Sequence, residues 1–175
     1  EFCLDNGIMT GTGKDTFSPD TTITRAQFAT MFYRLAGSPE TSENSKFSDL
    51  TQDWYKKPIA WAAANGVLNG TGDTTFSPDD VITREQIAAI FYRYAQSKGL
   101  DMSMGDGWDL SKSGYNDSGD IADYALSAMD WCFGKGIMYI HSVNGYEYAI
   151  YPKVAPSRAD TATMFLKFSY VLNNN

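Results

Sequence analysis

The chain has 175 residues, a formal net charge of −7 at pH 7, 43% hydrophobic and 14% aromatic side chains. This composition is typical of a folded chain and excludes a disordered one. The acidic charge argues against nucleic acid or an anionic membrane as the main partner, because both need a basic surface. No apolar run approaches the roughly 20 residues of a membrane-spanning helix, so no membrane insertion is expected.

Internal repetition is the main feature of the sequence. The segment NGIMTGTGKDTFSPDTTITRAQFATMFYRLAG aligns without a gap with NGVLNGTGDTTFSPDDVITREQIAAIFYRYAQ, and about half of the positions are identical. A third and more diverged copy is KGIMYIHSVNGYEYAIYPKVAPSRADTATMFLKFS, which is a few residues longer between its glycine and its proline. Such self-similarity indicates a chain built from equivalent structural units.

The copies define the expected domain organisation. The first copy begins midway through its upstream half, at EFCLDNG, and the two later copies carry that half in full. The separating segments are polar and rich in Gly, Ser, Asp or Pro, as linkers are. We therefore expect repeats at 1–37, 47–96 and 115–175, separated by linkers at 38–46 and 97–114.

Each copy is predicted to form a helix, a loop and a second helix. The first helix is expected near 53–65 and 121–135, where apolar residues recur at helical spacing. The second helix is expected to start at Thr24, Thr83 or Ser157 and to run for about four turns. The predicted fold is mainly α, with three helix–loop–helix repeats packed about a pseudo-threefold axis and the three long helices forming a central bundle.

The start of each long helix has a structural explanation. A hydroxyl residue at the N-cap accepts a hydrogen bond from the backbone of the first turn, and a polar residue three positions later reaches back to the cap. The predicted pairs are Thr24 with Gln27, Thr83 with Gln86, and Ser157 with Asp160.

The second copy carries a specific combination of motifs. It reads FSDL, then a Trp-containing helix, then a Gly-rich turn, and then FSPDDVITREQ. In this respect the chain resembles surface-layer homology (SLH) domains over nearly its whole length outside the linkers. The resemblance implies a three-lobed helical domain whose grooves bind cell-wall glycan, most often a secondary polysaccharide ending in pyruvylated N-acetylmannosamine.

The same resemblance implies a non-covalent anchor at the bacterial cell surface, with no catalytic activity, no cofactor and no metal. Some relatives bind peptidoglycan instead, so the alternative partner is peptidoglycan. A further alternative is a module for surface-layer self-association or protein–protein assembly that binds no glycan.

An arginine directly follows each helix cap, at Arg25, Arg84 and Arg158. A cation is unfavourable at the positive end of a helix, whereas an anion is favoured there. A guanidinium is also a planar, bidentate donor for a carboxylate such as that of a pyruvate ketal. We therefore predict three carboxylate clamps. The alternative is a salt bridge from the arginine to Asp49 or Asp117 of a neighbouring repeat.

Other residues are candidates for contact with a sugar. Asp49 and Asp117 either accept hydrogen bonds from sugar hydroxyls or cap the first helix. Trp54 and Tyr124 occupy aligned positions and offer an apolar ring face. The loop glycines permit close approach of a ligand to the backbone, although turn geometry explains them equally well; they are Gly11, Gly13, Gly70 and Gly72.

Other classes of function find less support. No nucleophile-elbow, zinc-protease or phosphate-loop motif is present, and the single histidine, His141, lies in the loop peculiar to the third copy. Asp/Gly-rich segments raise the alternative of calcium binding, but their spacing does not follow an EF-hand loop. Cys3 and Cys132 are expected to be buried free thiols.

Overall fold

A computed structural model describes residues 1–104, 108–142 and 148–174. The chain is mainly helical in these ranges, which confirms the predicted fold class. The packing of the long helices about a common axis and the repeat boundaries stay predictions. The helices are α1 (Phe2–Asp5), α2 (Arg25–Leu35), α3 (Asp53–Ala64), α4 (Arg84–Ser97), α5 (Leu126–Gly134) and α6 (Arg158–Asn173).

Short elements complete the described structure. Strands β1 (His141–Ser142) and β2 (Tyr148–Ala149) pair in antiparallel fashion, with His141 opposite Ala149. Single turns of 3₁₀-helix lie at Leu110–Lys112, Ser118–Asp120 and Asp123–Ala125.

The chain divides into two compact units. Unit 1 comprises Glu1–Ile82 and Ser157–Ala162, and unit 2 comprises Thr83–Pro156 and Thr163–Asn175. Unit 1 thus contains α1, α2, α3 and the first turn of α6, whereas unit 2 contains α4, α5 and the rest of α6.

The core of unit 1 forms where α2 packs against α3. Phe28 and Phe32 lie a turn apart on α2 and are fully buried, as the helical spacing of the apolar residues requires. The Phe32 ring stacks on Trp61 of α3 with 6.5 Å between the centroids, and Tyr33 meets the same indole edge-on. The aromatic stripe of α2 therefore holds α3, the helix that carries Trp54.

The core of unit 2 includes the equivalents of Phe32 and Trp61, which are Phe91 and Trp131. Phe91 of α4 stacks on Phe168 of α6 at 4.3 Å between the ring centroids and meets Phe165 edge-on. Trp131 of α5 is fully buried beside Phe168. Trp61 and Trp131, which correspond in the second and third copies, are thus both buried.

Each long helix begins with a reciprocal cap. Thr24 Oγ1 accepts from the Gln27 N–H, and the Gln27 side chain accepts from the Thr24 N–H at 3.0 Å. Thr83 and Gln86 repeat this arrangement at the start of α4. At α6 the Asp160 N–H donates to Ser157 Oγ, and the Ser157 N–H donates to the Asp160 carboxylate. Two backbone groups without an intrahelical partner are thereby satisfied at each start.

The predicted start of the first helix in the third repeat is wrong. The sequence placed it near residue 121, but α5 begins at Leu126 after the 3₁₀ turns. Ala122 has extended backbone geometry, and its N–H donates to the Glu85 carboxylate at 3.1 Å. The extended residue lies between two 3₁₀ turns, so no continuous helix forms from residue 121.

Two smaller expectations concern the cysteines and the membrane. Cys3 and Cys132 are both buried and free, and burial raises the pKa of the Cys3 thiol to about 11. Burial also raises the pKa of the Cys132 thiol far above its ordinary value. Among the described residues, no helix combines the length and the apolarity that a membrane crossing requires.

Substitution of Thr83 tests whether its cap stabilises α4. Thr83→Ala should lower the free energy of unfolding by about 1 kcal/mol, because the Gln86 N–H loses its acceptor. Thr83→Ser keeps the hydroxyl and should retain most of the stability. Chemical denaturation of both variants measures the difference, and equal stabilities would show that the cap does not stabilise α4.

Candidate functional site

The first arginine reaches away from its own helix. Arg25 Nε donates to the carbonyl of Phe76 at 2.9 Å, and Nη2 donates to the carbonyl of Asn69 at 2.8 Å. These carbonyls stand at the two ends of the Gly-rich loop 69–76. A single guanidinium therefore fastens both ends of the loop.

The other two arginines make the same pair of contacts. Arg84 donates from Nε to the carbonyl of Ile150 at 2.9 Å and from Nη2 to that of Tyr139 at 2.7 Å. Arg158 donates to the carbonyls of Phe17 at 2.8 Å and Thr10 at 2.7 Å. The arginine of each repeat thus holds the loop of another repeat.

Aromatic rings cover the guanidinium groups. The Cζ atoms of Arg25 and Arg158 each lie 4.7 Å from a ring centroid, that of Phe76 and Phe17 respectively. All three arginines are only 2–7% exposed, and burial lowers the pKa of Arg158. The carbonyl acceptors and ring faces compensate for the removal of these charges from water.

The helix starts themselves are not open anion sites, contrary to the expectation from the helix dipole. The backbone N–H groups of Arg25 and Ala26 donate to the carbonyls of Asp80 and Pro78, at 2.8 and 3.0 Å. The first N–H groups of α4 and α6 are taken up in the same way by carbonyls of Val154, Pro152, Thr21 and Pro19. In each of these helices the third N–H group donates to the hydroxyl of the capping residue. The first three amides are therefore all hydrogen-bonded within the protein and do not face a ligand.

Asp49 and Asp117 do not cap the first helix. Asp49 accepts from the N–H groups of Phe76 and Ser77, the latter at 2.7 Å, and the N-cap of α3 is Gln52. Asp117 accepts from the N–H groups of Ile150 and Tyr151. Both carboxylates stabilise the loop where the backbone turns left-handed, at Ser77 and Tyr151, with φ of 57° and 54°.

The environment of Asp49 favours its charged form. Partial burial raises its pKa, but the amide donors of Phe76 and Ser77, with the nearby Arg25 charge, outweigh burial and hold the pKa below its ordinary value. Asp49 therefore stays ionised at neutral pH and keeps its hold on the loop.

The loop glycines divide into two kinds. A Cβ on Gly70 would overlap the Phe47 ring and the Thr75 carbonyl, and one on Gly11 would lie 2.7 Å from the Thr16 carbonyl. A Cβ on Gly13 would lie 2.7 Å from the Thr16 hydroxyl, whereas one on Gly72 would meet nothing closer than 3.6 Å. Packing within the loop therefore explains Gly11 and Gly70.

The two aligned aromatic residues differ in their surroundings. Trp54 of α3 is 52% exposed and packs edge-on against Tyr55. Tyr124 is also exposed, but its hydroxyl donates to the Glu85 carboxylate at 3.1 Å. Trp54 thus presents a ring face to solvent, whereas Tyr124 is tied to a buried acid.

A groove of about 440 Å³ in unit 1 brings several predicted residues together. We call it the unit 1 groove. It combines the first loop, one face of α2, the exposed Trp54 and the start of α6. Its lining residues are Met9, Thr10, Gly11, Thr12, Gln27, Thr30, Met31, Arg34, Trp54 and Arg158.

The unit 1 groove is locally cationic in an acidic protein. Arg34 and Arg158 both line it, and no Asp or Glu among the described residues belongs to its lining. The hydrogen bonds of Arg158 use Nε and Nη2, which leaves the Nη1 protons for a ligand. Arg34 makes one long contact, from Nη1 to the Ile8 carbonyl at 3.4 Å.

Arg34 was missed by the sequence reasoning. A signal was present, because Arg34 corresponds to Arg93 and Lys167 in the other copies, so a cation recurs nine positions after the first arginine of each long helix.

The remaining predicted residues lie elsewhere. In unit 1, Arg25, Asp49, Gly70 and Gly72 belong to the second loop and its contacts, and Gly13 does not line the groove. In unit 2, Asp117 lines a separate groove.

The arginine of unit 2 has an additional partner. His141 Nε2 lies 3.2 Å from Arg84 Nη1, and the imidazole packs between Tyr139 and Tyr151. The third loop thus contacts Nη1 of Arg84, whereas the first loop accepts hydrogen bonds from Arg158 through Nε and Nη2 only.

Comparison with known proteins identifies the family. The sequence model of the S-layer homology domain matches residues 1–29 and 46–88. These segments cover most of the first repeat and the larger part of the second. The chain belongs to the S-layer homology family, which confirms the resemblance read from its motifs.

Three relatives illustrate where such segments occur. An endoglucanase of Bacillus sp. (strain KSM-635) is 34% identical over 131 residues, which is 75% of this chain and 13% of that protein. The surface-layer 125 kDa protein of Lysinibacillus sphaericus is 29% identical over 163 residues, 93% of this chain and 13% of that protein. A cellulosome-anchoring protein of Acetivibrio thermocellus is 35% identical over 88 residues, 47% of this chain and 20% of that protein.

The chain thus spans a fifth or less of the length of these relatives. The family and its surface-layer members confirm the expected location at the cell surface.

The loop contacts of Arg25 allow a direct test. Arg25→Lys keeps the charge but cannot donate to two separated carbonyls, so we expect the free energy of unfolding to fall by about 2–3 kcal/mol. Arg34→Lys is the matched control, since Arg34 is half-buried with one long contact, and should change stability little. Thermal and chemical unfolding measure both. Equal effects of the two substitutions would contradict the fastening role of Arg25.

Proposed function

We propose that the chain is a non-covalent anchoring module that binds an acidic cell-wall glycan in the unit 1 groove. One observation carries the proposal: two guanidinium groups and an exposed tryptophan ring line a groove that has no carboxylate among its described residues, in a chain whose net charge is −7. A cationic groove on an acidic protein favours a ligand that bears a negative charge at one defined position.

The groove offers separate contacts for the charged and uncharged parts of such a ligand. Arg158 Nη1 and the Arg34 guanidinium can donate to one carboxylate, and charge-assisted hydrogen bonds of this kind are strong. The Trp54 ring offers an apolar face to the C–H side of a pyranose. Hydroxyl groups of Thr10 and Thr12 and the Gln27 amide supply donors and acceptors for sugar hydroxyls.

Pyruvylated N-acetylmannosamine has both the charged and the uncharged part that these contacts suit. Its ketal carries one carboxylate on an otherwise uncharged sugar, so a single charge is presented to the two arginines. Because the net charge of the chain repels anions at a distance, we expect affinity to depend on individual arginines more than on total charge.

The relatives support anchoring as the task of the chain. Surface-layer and cellulosome-anchoring proteins contain similar segments, as do hydrolases in which the similar segment is a small part of the whole. We assign anchoring rather than catalysis to this chain, because the arginine at the start of the long helix recurs in each copy, whereas a catalytic centre is normally single.

Point variants test the groove. Arg34→Ala and Trp54→Ala should weaken calorimetric binding to purified pyruvylated wall glycan, by roughly 10- to 100-fold for Arg34 because it loses a charge-assisted contact. Lys56→Ala is the control: it removes a cation from the same turn of α3 as Trp54, where Lys56 pairs with exposed Asp53.

The outcomes separate the proposal from its alternatives. Unchanged affinity in Arg34→Ala and Trp54→Ala, with an intact fold, would refute the groove assignment. Binding to wall sacculi should disappear after acid extraction of the secondary polysaccharide. Retention after extraction would instead indicate peptidoglycan, and absence of binding before extraction would indicate a protein partner.

A further inference from the structure

A second groove lies in unit 2, beside the end of the third loop. It encloses about 310 Å³, at the small end of the roughly 300–1,000 Å³ that is usual for ligand sites. We call it the unit 2 groove. Its lining residues are Asn116, Asp117, Asp120, Tyr148, Ala149, Tyr151, Pro152, Lys153 and Val154.

The side chains around this groove distinguish the third copy from the second. Alignment of Pro78 with Pro152 shows that four small or acidic side chains of the second copy are replaced by larger ones around that proline. The replacements are Tyr148 for Thr74, Tyr151 for Ser77, Lys153 for Asp79 and Val154 for Asp80.

The new side chains do not enlarge the core. Tyr148 is 52% exposed, and Val154 is equally exposed. Burial therefore does not account for the exchange of hydroxyl and carboxylate groups for aromatic and aliphatic ones. Apolar side chains gathered at a concave surface are typical of a binding site.

The walls of the unit 2 groove are held in place by buried contacts. The Asp117 carboxylate accepts from the Tyr151 N–H at 2.7 Å and so fixes the backbone of that tyrosine. Lys153 Nζ donates to Glu85 at 2.7 Å, and Glu85 is only 4% exposed. The second copy offers an acid at this helix position, whereas the first and third copies have Ala26 and Ala159.

Other polar groups of the groove remain available. Within the described part of the chain, the side chains of Asn116 and Asp120 and the hydroxyl groups of Tyr148 and Tyr151 form no hydrogen bond. The groove thus combines ring surface with an amide, a carboxylate and phenols, which together both donate and accept.

The electrostatics differ from those of the unit 1 groove. Among the described residues, two carboxylates, Asp117 and Asp120, line the unit 2 groove with one cation, Lys153, whose charge is matched by Glu85. A negatively charged ligand is therefore disfavoured. An uncharged pyranose needs an apolar face for its C–H groups and mixed donors and acceptors for its hydroxyls, and the groove supplies both.

We propose that the unit 2 groove is a second carbohydrate site that takes an uncharged hexopyranose unit. The inference rests on the residues of this groove alone and goes beyond the acidic-glycan site of unit 1. One chain thereby contacts charged and uncharged sugar residues through different grooves, and two linked contacts strengthen attachment to a polymer.

Uncharged oligosaccharides of known structure test the proposal. Cellotriose and chitotriose are titrated separately into the intact chain, with binding followed by NMR shifts of the tyrosine rings. At least one should bind, and Tyr148→Thr, which restores the residue of the second copy, should weaken it roughly tenfold. Tyr170→Ala is the matched control, because Tyr170 is 55% exposed in unit 2 and does not line this groove.

The two sites are separable in the same experiment. Trp54→Ala should leave the binding of the uncharged trimer unchanged, and Tyr148→Thr should leave the binding of pyruvylated glycan fragments unchanged. The proposal is overturned if neither trimer binds, if Tyr148→Thr and Tyr170→Ala have equal effects, or if Trp54→Ala abolishes trimer binding. Failure of pyruvylated fragments to bind, with trimer binding intact, would count against the unit 1 groove alone.

Discussion

The candidate sites depend on one interaction, a buried guanidinium that donates to two carbonyl groups at opposite ends of a loop. Arg25, Arg84 and Arg158 make it with nearly equal distances, from 2.7 to 2.9 Å. A buried charge is costly unless hydrogen bonds and polarisable neighbours replace its water, and carbonyl oxygens and ring faces do so here. An arginine at the start of a helix is thus explained by the loop that its side chain holds, since the first backbone amides are already taken.

This interaction links the fold to the proposed function. Arg158 holds the first loop through Nε and Nη2 and lines the unit 1 groove, so one side chain shapes the site and faces the ligand. Removing it would disturb loop and binding together. Arg34 lines the same groove but makes only one long hydrogen bond, to the Ile8 carbonyl. Substitution of Arg34 therefore tests ligand binding without disturbing the loop. In unit 2 the corresponding arginine, Arg84, also contacts His141, and two tyrosines, Tyr148 and Tyr151, line the unit 2 groove.

Features encoded by neighbouring residues were predictable, and those encoded by distant contacts were not. The repeat, the mainly helical fold and the three helix starts followed from local patterns, because caps involve residues three positions apart. The acceptors of the arginines were not predictable, since backbone carbonyls carry no residue identity. The late start of α5 accompanies an extended Ala122, whose N–H donates to Glu85, a residue far away in sequence. Arg34 was predictable in principle, but its recurrence as Arg93 and Lys167 is visible only when whole helices are aligned.

The arginine contacts imply that the loops have their native conformation in the absence of glycan. Amide hydrogen exchange on the free protein tests it most directly, because protection reports hydrogen bonds that are present in the native state. The account predicts slow exchange without glycan at Thr71, Phe76 and Ser77, whose N–H groups donate to the Thr75 carbonyl and the Asp49 carboxylate. Fast exchange at these amides in the free protein, with protection only after glycan is added, would contradict it.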